Sequence, residues 1–113
     1  MATWADVVAA GTNLPGVEEG TWYGTPGLKV RGKGFCRTKD GGETLVVKVL
    51  DLEDKEALLR GDPERFYTTP HYDGHAYILV RLAMTDARTV AELIEDAWRL
   101  TAPKRLLAAY DGA

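Results

Sequence analysis

The sequence predicts an α+β domain in which helices pack on one antiparallel sheet. Three observations lead there. β-branched and aromatic segments separated by glycines fill the stretch from Val17 to Leu50, and one strongly periodic helical segment runs from Val90 to Thr101. The order of elements is helix, strands, helix, strands, helices, without the regular strand–helix alternation of a parallel sheet. The chain has 113 residues, which fits one domain spanning 1–113, and its 45% hydrophobic and 27% charged residues suit a chain that folds on its own core.

Thr3 with Asp6 forms a capping-box pattern, and Trp4, Val7 and Val8 share a helical face, so a short first helix is expected to end at about Gly11 as its cap. Asn13-Leu14-Pro15-Gly16 is a turn by composition. Strands follow at Thr21 to Tyr23, Leu28 to Arg31, Phe35 to Lys39 and Thr44 to Leu50, with turns at Arg31-Gly32-Lys33-Gly34 and Lys39-Asp40-Gly41-Gly42. Asp51 caps a second helix through about Arg60, expected to lie on the surface of the sheet with its thin apolar content. Phe66 to Thr69 reads as a short edge strand stopped by Pro70. Asp73-Gly74 turns into the clearest strand, where Ala76, Ile78, Val80 and Leu82 face one way. In the principal core helix Val90, Leu93, Ile94, Ala97, Trp98 and Thr101 recur at helical spacing; Pro103 then breaks the chain into a last short helix to Tyr110.

The formal net charge of −3 excludes a protein whose whole surface binds polyanions, so any anion site is local. With Cys36 as the only cysteine there is no intrachain disulfide and no thiolate metal cage, which fits a reducing compartment. Asp6 interrupts the first apolar residues and no basic leader precedes them, and no run approaches the roughly 20 apolar residues of a membrane span. A cytoplasmic protein with no membrane partner is expected.

Charge is segregated along the chain. Between Gly27 and Lys39 lie Lys29, Arg31, Lys33, Arg37 and Lys39 with no acidic residue, so this segment carries +5 while the remainder carries −8. Strand alternation puts Lys29 and Arg31 on one face with Lys33 at the turn, an arrangement that suits a phosphate backbone. The plainer reading is lysine-rich protection of an edge strand against aggregation. Gly27 to Gly34 also spells a near-match to a phosphate-binding loop, but the terminal hydroxyl and the following helix are both missing.

Other candidates are weaker. His71, Asp73 and His75 lie within five residues, yet no fourth ligand is apparent and turn polarity accounts for them; no metal or other cofactor is expected. Glu18 and Glu19 are adjacent and so point to opposite faces of a strand, unable to act on one atom. Cys36 has no base near it in sequence and reads as a buried thiol. Trp22, Trp98, Phe35, Phe66, Tyr67, Tyr72 and Tyr77 supply rings mainly for the core, with Trp98 placed there by its helical register.

Leu14-Pro15-Gly16-Val17-Glu18-Glu19-Gly20, then Tyr23-Gly24-Thr25-Pro26, then Lys29-Val30-Arg31-Gly32-Lys33-Gly34-Phe35 resemble the signature of the MmcQ/YjbR family. Phe66 to Tyr72, the strand ending Val80-Arg81-Leu82 and the helix from Glu92 to Leu100 extend the resemblance over most of the chain. Leu28 and Tyr77 depart from it, standing where relatives often carry an aromatic and a tryptophan; both keep bulk and strand propensity. The resemblance implies a compact fold shaped like secretion chaperones, and DNA binding through a double-wing arrangement of hairpins. The expectation is a non-enzymatic binding module whose basic wing, Lys29 through Lys39, contacts DNA. The alternative is a chaperone-like adaptor that takes a protein partner on an exposed sheet surface. A small-molecule site among the aromatics and His71 is the third reading.

Overall fold

The computed structural model describes residues 1–112. Strands β1 (Val17–Trp22), β2 (Thr25–Val30), β3 (Lys33–Lys39), β4 (Thr44–Lys48), β5 (Phe66–Tyr67) and β6 (Tyr77–Arg81) form one antiparallel sheet in the order β1-β2-β3-β4-β6-β5. Helices α1 (Trp4–Thr12), α2 (Leu52–Gly61), α3 (Ala87–Thr101) and α4 (Lys104–Tyr110) complete the α+β fold. No helix among the described residues is long and apolar enough to cross a membrane.

The helices gather on one face because the apolar positions require it. Val90, Ile94, Ala97 and Trp98 are the buried stripe of α3, whose start is fixed by Thr89 N donating to Asp86 Oδ1 at 2.7 Å. They meet Leu28, Val30, Leu45, Val47, Ile78 and Val80 from the inner face of the sheet, with Val7 of α1 in the same cluster. Trp98 is fully buried, and its indole Nε1 donates to the Pro15 carbonyl at 3.0 Å, tying α3 to the turn that enters β1. Thr3 N donates to Asp6 Oδ2 at 2.8 Å, the expected capping interaction of α1.

Several local expectations change. Gly11 does not cap α1: the helix continues to Thr12, and Gly11 is buried where a Cβ would overlap Leu28 Cδ1. Glycine is there so that α1 can approach β2. Tyr23 and Arg31 are turn residues, with φ of 55° and 50°, each followed by a glycine of positive φ. Both two-residue hairpins therefore carry the positive φ pair of a type I′ turn, although neither has the Asn or Asp that normally announces one. Lys33 opens β3, paired with Val30. The edge strand β5 is only Phe66–Tyr67. α2 is largely exposed, as its thin apolar content suggested, and Lys55 is its one buried residue.

A bulge at Phe35 organises the middle of the sheet. Leu28 pairs with Cys36 and Lys29 with Gly34, leaving Phe35 as the extra residue on β3. Phe35 and Cys36 consequently both face the helical core, and both are fully buried.

Gly11→Val should place a branched side chain against Leu28 and Ile94 and lower stability by about 1–3 kcal/mol, read as a lower urea midpoint at unchanged slope.

Candidate functional site

The outer face of the sheet, opposite the helices, carries the chemistry. Paired residues in an antiparallel sheet share a face, so the row Gly20, Gly27, Arg37, Val46, Leu79, Tyr67 points outward, and the flanking pairs add Trp22, Lys29 with Gly34, Lys39 with Thr44, and Lys48 with Tyr77. Val46, Leu79 and Tyr72 form a second small buried cluster here, with Tyr67 and Tyr77 packed against it. Tyr72 comes from the turns that join β5 to β6 and lie over this face.

That segment and the β1–β2 hairpin enclose a cleft of about 300 Å³ lined by Trp22, Tyr23, Arg37, Val46, His71, Tyr72, His75 and Tyr77. No acidic side chain lines it. Trp22 lies on a floor of glycines: a Cβ on Gly34 would stand 2.8 Å from Trp22 Cε3, and one on Gly27 3.4 Å from Trp22 Cβ. The Trp22 and Tyr23 rings stack at 5.9 Å with 25° between planes, and Tyr77 meets Trp22 edge-on at 6.2 Å. Tyr23 is 81% exposed, an aromatic ring held out at the rim.

Arg37 is the cation of this cleft. It is half-buried, donates to the hydroxyls of Tyr72 and Thr25 and to the Thr38 carbonyl, and lies 5.7 Å and 5.8 Å from the ring centres of Tyr23 and Tyr72. All these partners are neutral. A guanidinium has five N–H donors, so donors remain for an incoming anion. Burial raises the pKa of the Tyr77 phenol, with smaller contributions from Tyr23 and Tyr72, so it faces the cleft as a neutral hydroxyl.

The wall carrying Tyr72 and His75 is anchored by Lys55 of α2. Lys55 Nζ donates to the Tyr72 carbonyl at 2.6 Å and the His75 carbonyl at 3.0 Å. Burial lowers its pKa from the ordinary value, and Asp73 partly offsets that.

The sequence-predicted cations do not form one continuous wing. Lys29, Arg37 and Lys39 share the outer face, with Glu18 across from Lys29 and Asp40 directly after Lys39. Arg31 sits in the hairpin turn, its Nε beside Gly16 in company with Leu106 of α4, so it leaves the face that Lys29 occupies. Lys33 is exposed at the start of β3. None of the five is in an ion pair among the described residues. The hairpin that bears them is also no free arm, since β2 and β3 are flanked by β1 and β4.

His71 and His75 line the cleft, but Asp73 instead accepts from Thr68 at 3.2 Å, and no group of three metal-ligating side chains occurs among the described residues. The near phosphate-binding loop is a β-hairpin, as its flanks required. Tyr23 is the site residue that sequence reasoning missed: inside a supposed strand it had no special role, and Tyr-Gly is not a turn signal of the usual kind.

An antiparallel sheet with helices on one face and an aromatic, cationic cleft on the other defines a small α+β module with one open sheet face. The YjbR family model matches residues 12–100, and the chain belongs to that family. It is 44% identical over 69 residues to the uncharacterized proteins Rv2570 of Mycobacterium tuberculosis and Mb2600 of Mycobacterium bovis, covering 61% of this chain and 54% of each of those. The chain thus spans about half the length of these relatives. Its fold is similar to the crystal structure of Deinococcus radiodurans protein DR2400, a DUF419 domain, with a TM-score of 0.75 and 23% identity over 88% of this chain and 78% of that one.

Lys55→Met keeps the aliphatic stem but removes the ammonium that two carbonyls share, leaving them only the amides of His75 and Tyr77, and should cost about 1–3 kcal/mol with faster amide exchange at His75. Burial pushes the Cys36 thiol far above its ordinary value of 9.0, so the folded state holds a proton that the unfolded chain releases. Stability should therefore fall as pH rises above 9.0, and Cys36→Ala should flatten that slope in alkaline denaturation series. Native Cys36 should also resist thiol reagents that label it at once after unfolding.

Proposed function

We propose that the chain is a non-catalytic binding module that holds nucleic acid, DNA in the first instance, against the open face of its sheet. The observation that carries this reading is the position of Arg37, a half-buried cation with only neutral partners in a ring-lined cleft, flanked by Lys29 and Lys39 on the same face. Aggregation control explains cations on edge strands, but the edges of this sheet are β1 and β5 while these three residues lie on β2 and β3. Anions satisfy such an arrangement. Phosphates approaching the face meet lysine ammonium groups first and the guanidinium deeper in.

The acidic remainder of the chain opposes non-specific attachment elsewhere and confines contact to this face. Binding by a few phosphate contacts is weak and strongly salt-dependent. Titration of labelled mixed-sequence DNA, single-stranded and duplex, at low and near-physiological salt should give micromolar-order affinity that declines with salt. Lys29→Glu with Lys39→Glu should weaken it by at least about ten-fold and make its salt dependence shallower, with little change in thermal midpoint. A double variant that binds like its parent rules out the open face as the contact surface. No binding by the parent at low salt removes the nucleic-acid reading and favours capture of a protein partner.

A further inference from the structure

We infer that the cleft is a seat for one unpaired nucleobase whose phosphate is taken by Arg37, so that the module selects single-stranded or opened nucleic acid over intact duplex. The inference rests on the nucleic-acid reading above and adds the form of the ligand. Phosphate contact alone needs only cations on a surface. This surface also presents Trp22, Tyr23, Tyr72 and Tyr77 around one cleft.

Duplex bases are stacked on each other and offer side chains only their edges, so rings on a sheet face can stack on bases only when those are unpaired. The volume of about 300 Å³ is at the small end for ligand pockets and suits a single planar group. Without an acidic lining residue there is nothing to repel the phosphate that accompanies the base, and Arg37 supplies both a stacking plane and spare N–H donors.

Tyr23 supports the same conclusion from a second direction. Its φ of 55° belongs to a turn position where Asn or Gly is relaxed and a tyrosine is not, yet its ring is 81% exposed and makes no core contact that would account for it. What the conformation achieves is to stand the ring beside Trp22 and over Arg37 at the rim. The two-residue hairpin sets this φ, as it does at Arg31, and the tyrosine placed there gives the cleft an exposed ring that a bound base would cover.

The test uses the full chain and three probes: a homothymidine single strand, a mixed-sequence duplex and thymidine monophosphate, followed by tryptophan fluorescence. Trp98 is fully buried and Trp4 packs against the helical core, so Trp22 is the reporter. The single strand should quench emission and the duplex should not, and Trp22→Phe should lose most of the quench, which assigns the signal to the cleft. Tyr23→Asn should weaken single-strand binding by about ten-fold without affecting the duplex. Asn-Gly suits the turn, so this variant should melt no lower than the parent, which separates lost binding from lost folding.

Equal binding of strand and duplex without quenching, or a Tyr23→Asn variant that binds the strand normally, overturns the base seat and leaves the nucleic-acid reading standing. Quenching by the monophosphate but not by the strand upholds the seat and overturns the strand as its source. No binding of any probe at low salt removes both.

Discussion

The β-bulge at Phe35 is the constraint on which the two faces of this protein depend. Simple alternation along β3 would place Gly34 and Cys36 on one side and Phe35 and Arg37 on the other. The extra residue instead turns Phe35 and Cys36 inward together and lets Gly34 and Arg37 both face out. The core gains a phenylalanine and a thiol with no polar atom exposed to it. The outer face gains a flat place for the Trp22 ring and a cation in the next row. One local irregularity thus serves packing on one side and site geometry on the other.

How much of this was legible depended on whether the signal was periodic. The α3 stripe, the alternation in β6 and the capped starts at Thr3 and Asp51 repeat or pair at fixed spacings, and each stands in the structure as the sequence suggested. Several of the misses are single-residue events. Tyr23 and Arg31 adopt positive φ without the usual Asn or Asp, and Gly11 is required by an approach of α1 to β2 that only the folded chain reveals. The bulge had a trace, since Gly34 interrupts a strand and is followed by two apolar residues in a row. The cleft had only the grouping of aromatics with His71, because its walls come from β1, β3, β6 and the turns before β6, brought together by strand order alone.

Lys55 shows how the site and the fold share their supports. A buried ammonium is costly unless its donors are met, and here two carbonyls of the segment carrying Tyr72 and His75 take two of its three donors. The contact fixes an irregular segment over the sheet from the side, without a strand or helix of its own. It also explains why Val46 and Leu79, outward-facing residues on a nominally open face, are buried. The face is covered at one end and open at the other, and the boundary between the two is where the cleft lies.

That boundary also bears on which surface can act. On an unbroken solvated sheet face the cations would be freely hydrated, and a phosphate would displace water with little net gain. Placing Arg37 at the edge of the covered part removes some of that water while leaving its bonds to neutral groups, so a new anion meets a less hydrated charge. Lys29 and Lys39 are half-buried too, but they lie outside the cleft lining, and under the proposed reading they would steer an anion that Arg37 holds. The division between a cation inside the cleft and cations beyond it follows from the same strand order and the same bulge that built the core, which is why the hairpin reads as one basic run in sequence but as two different settings of positive charge in space.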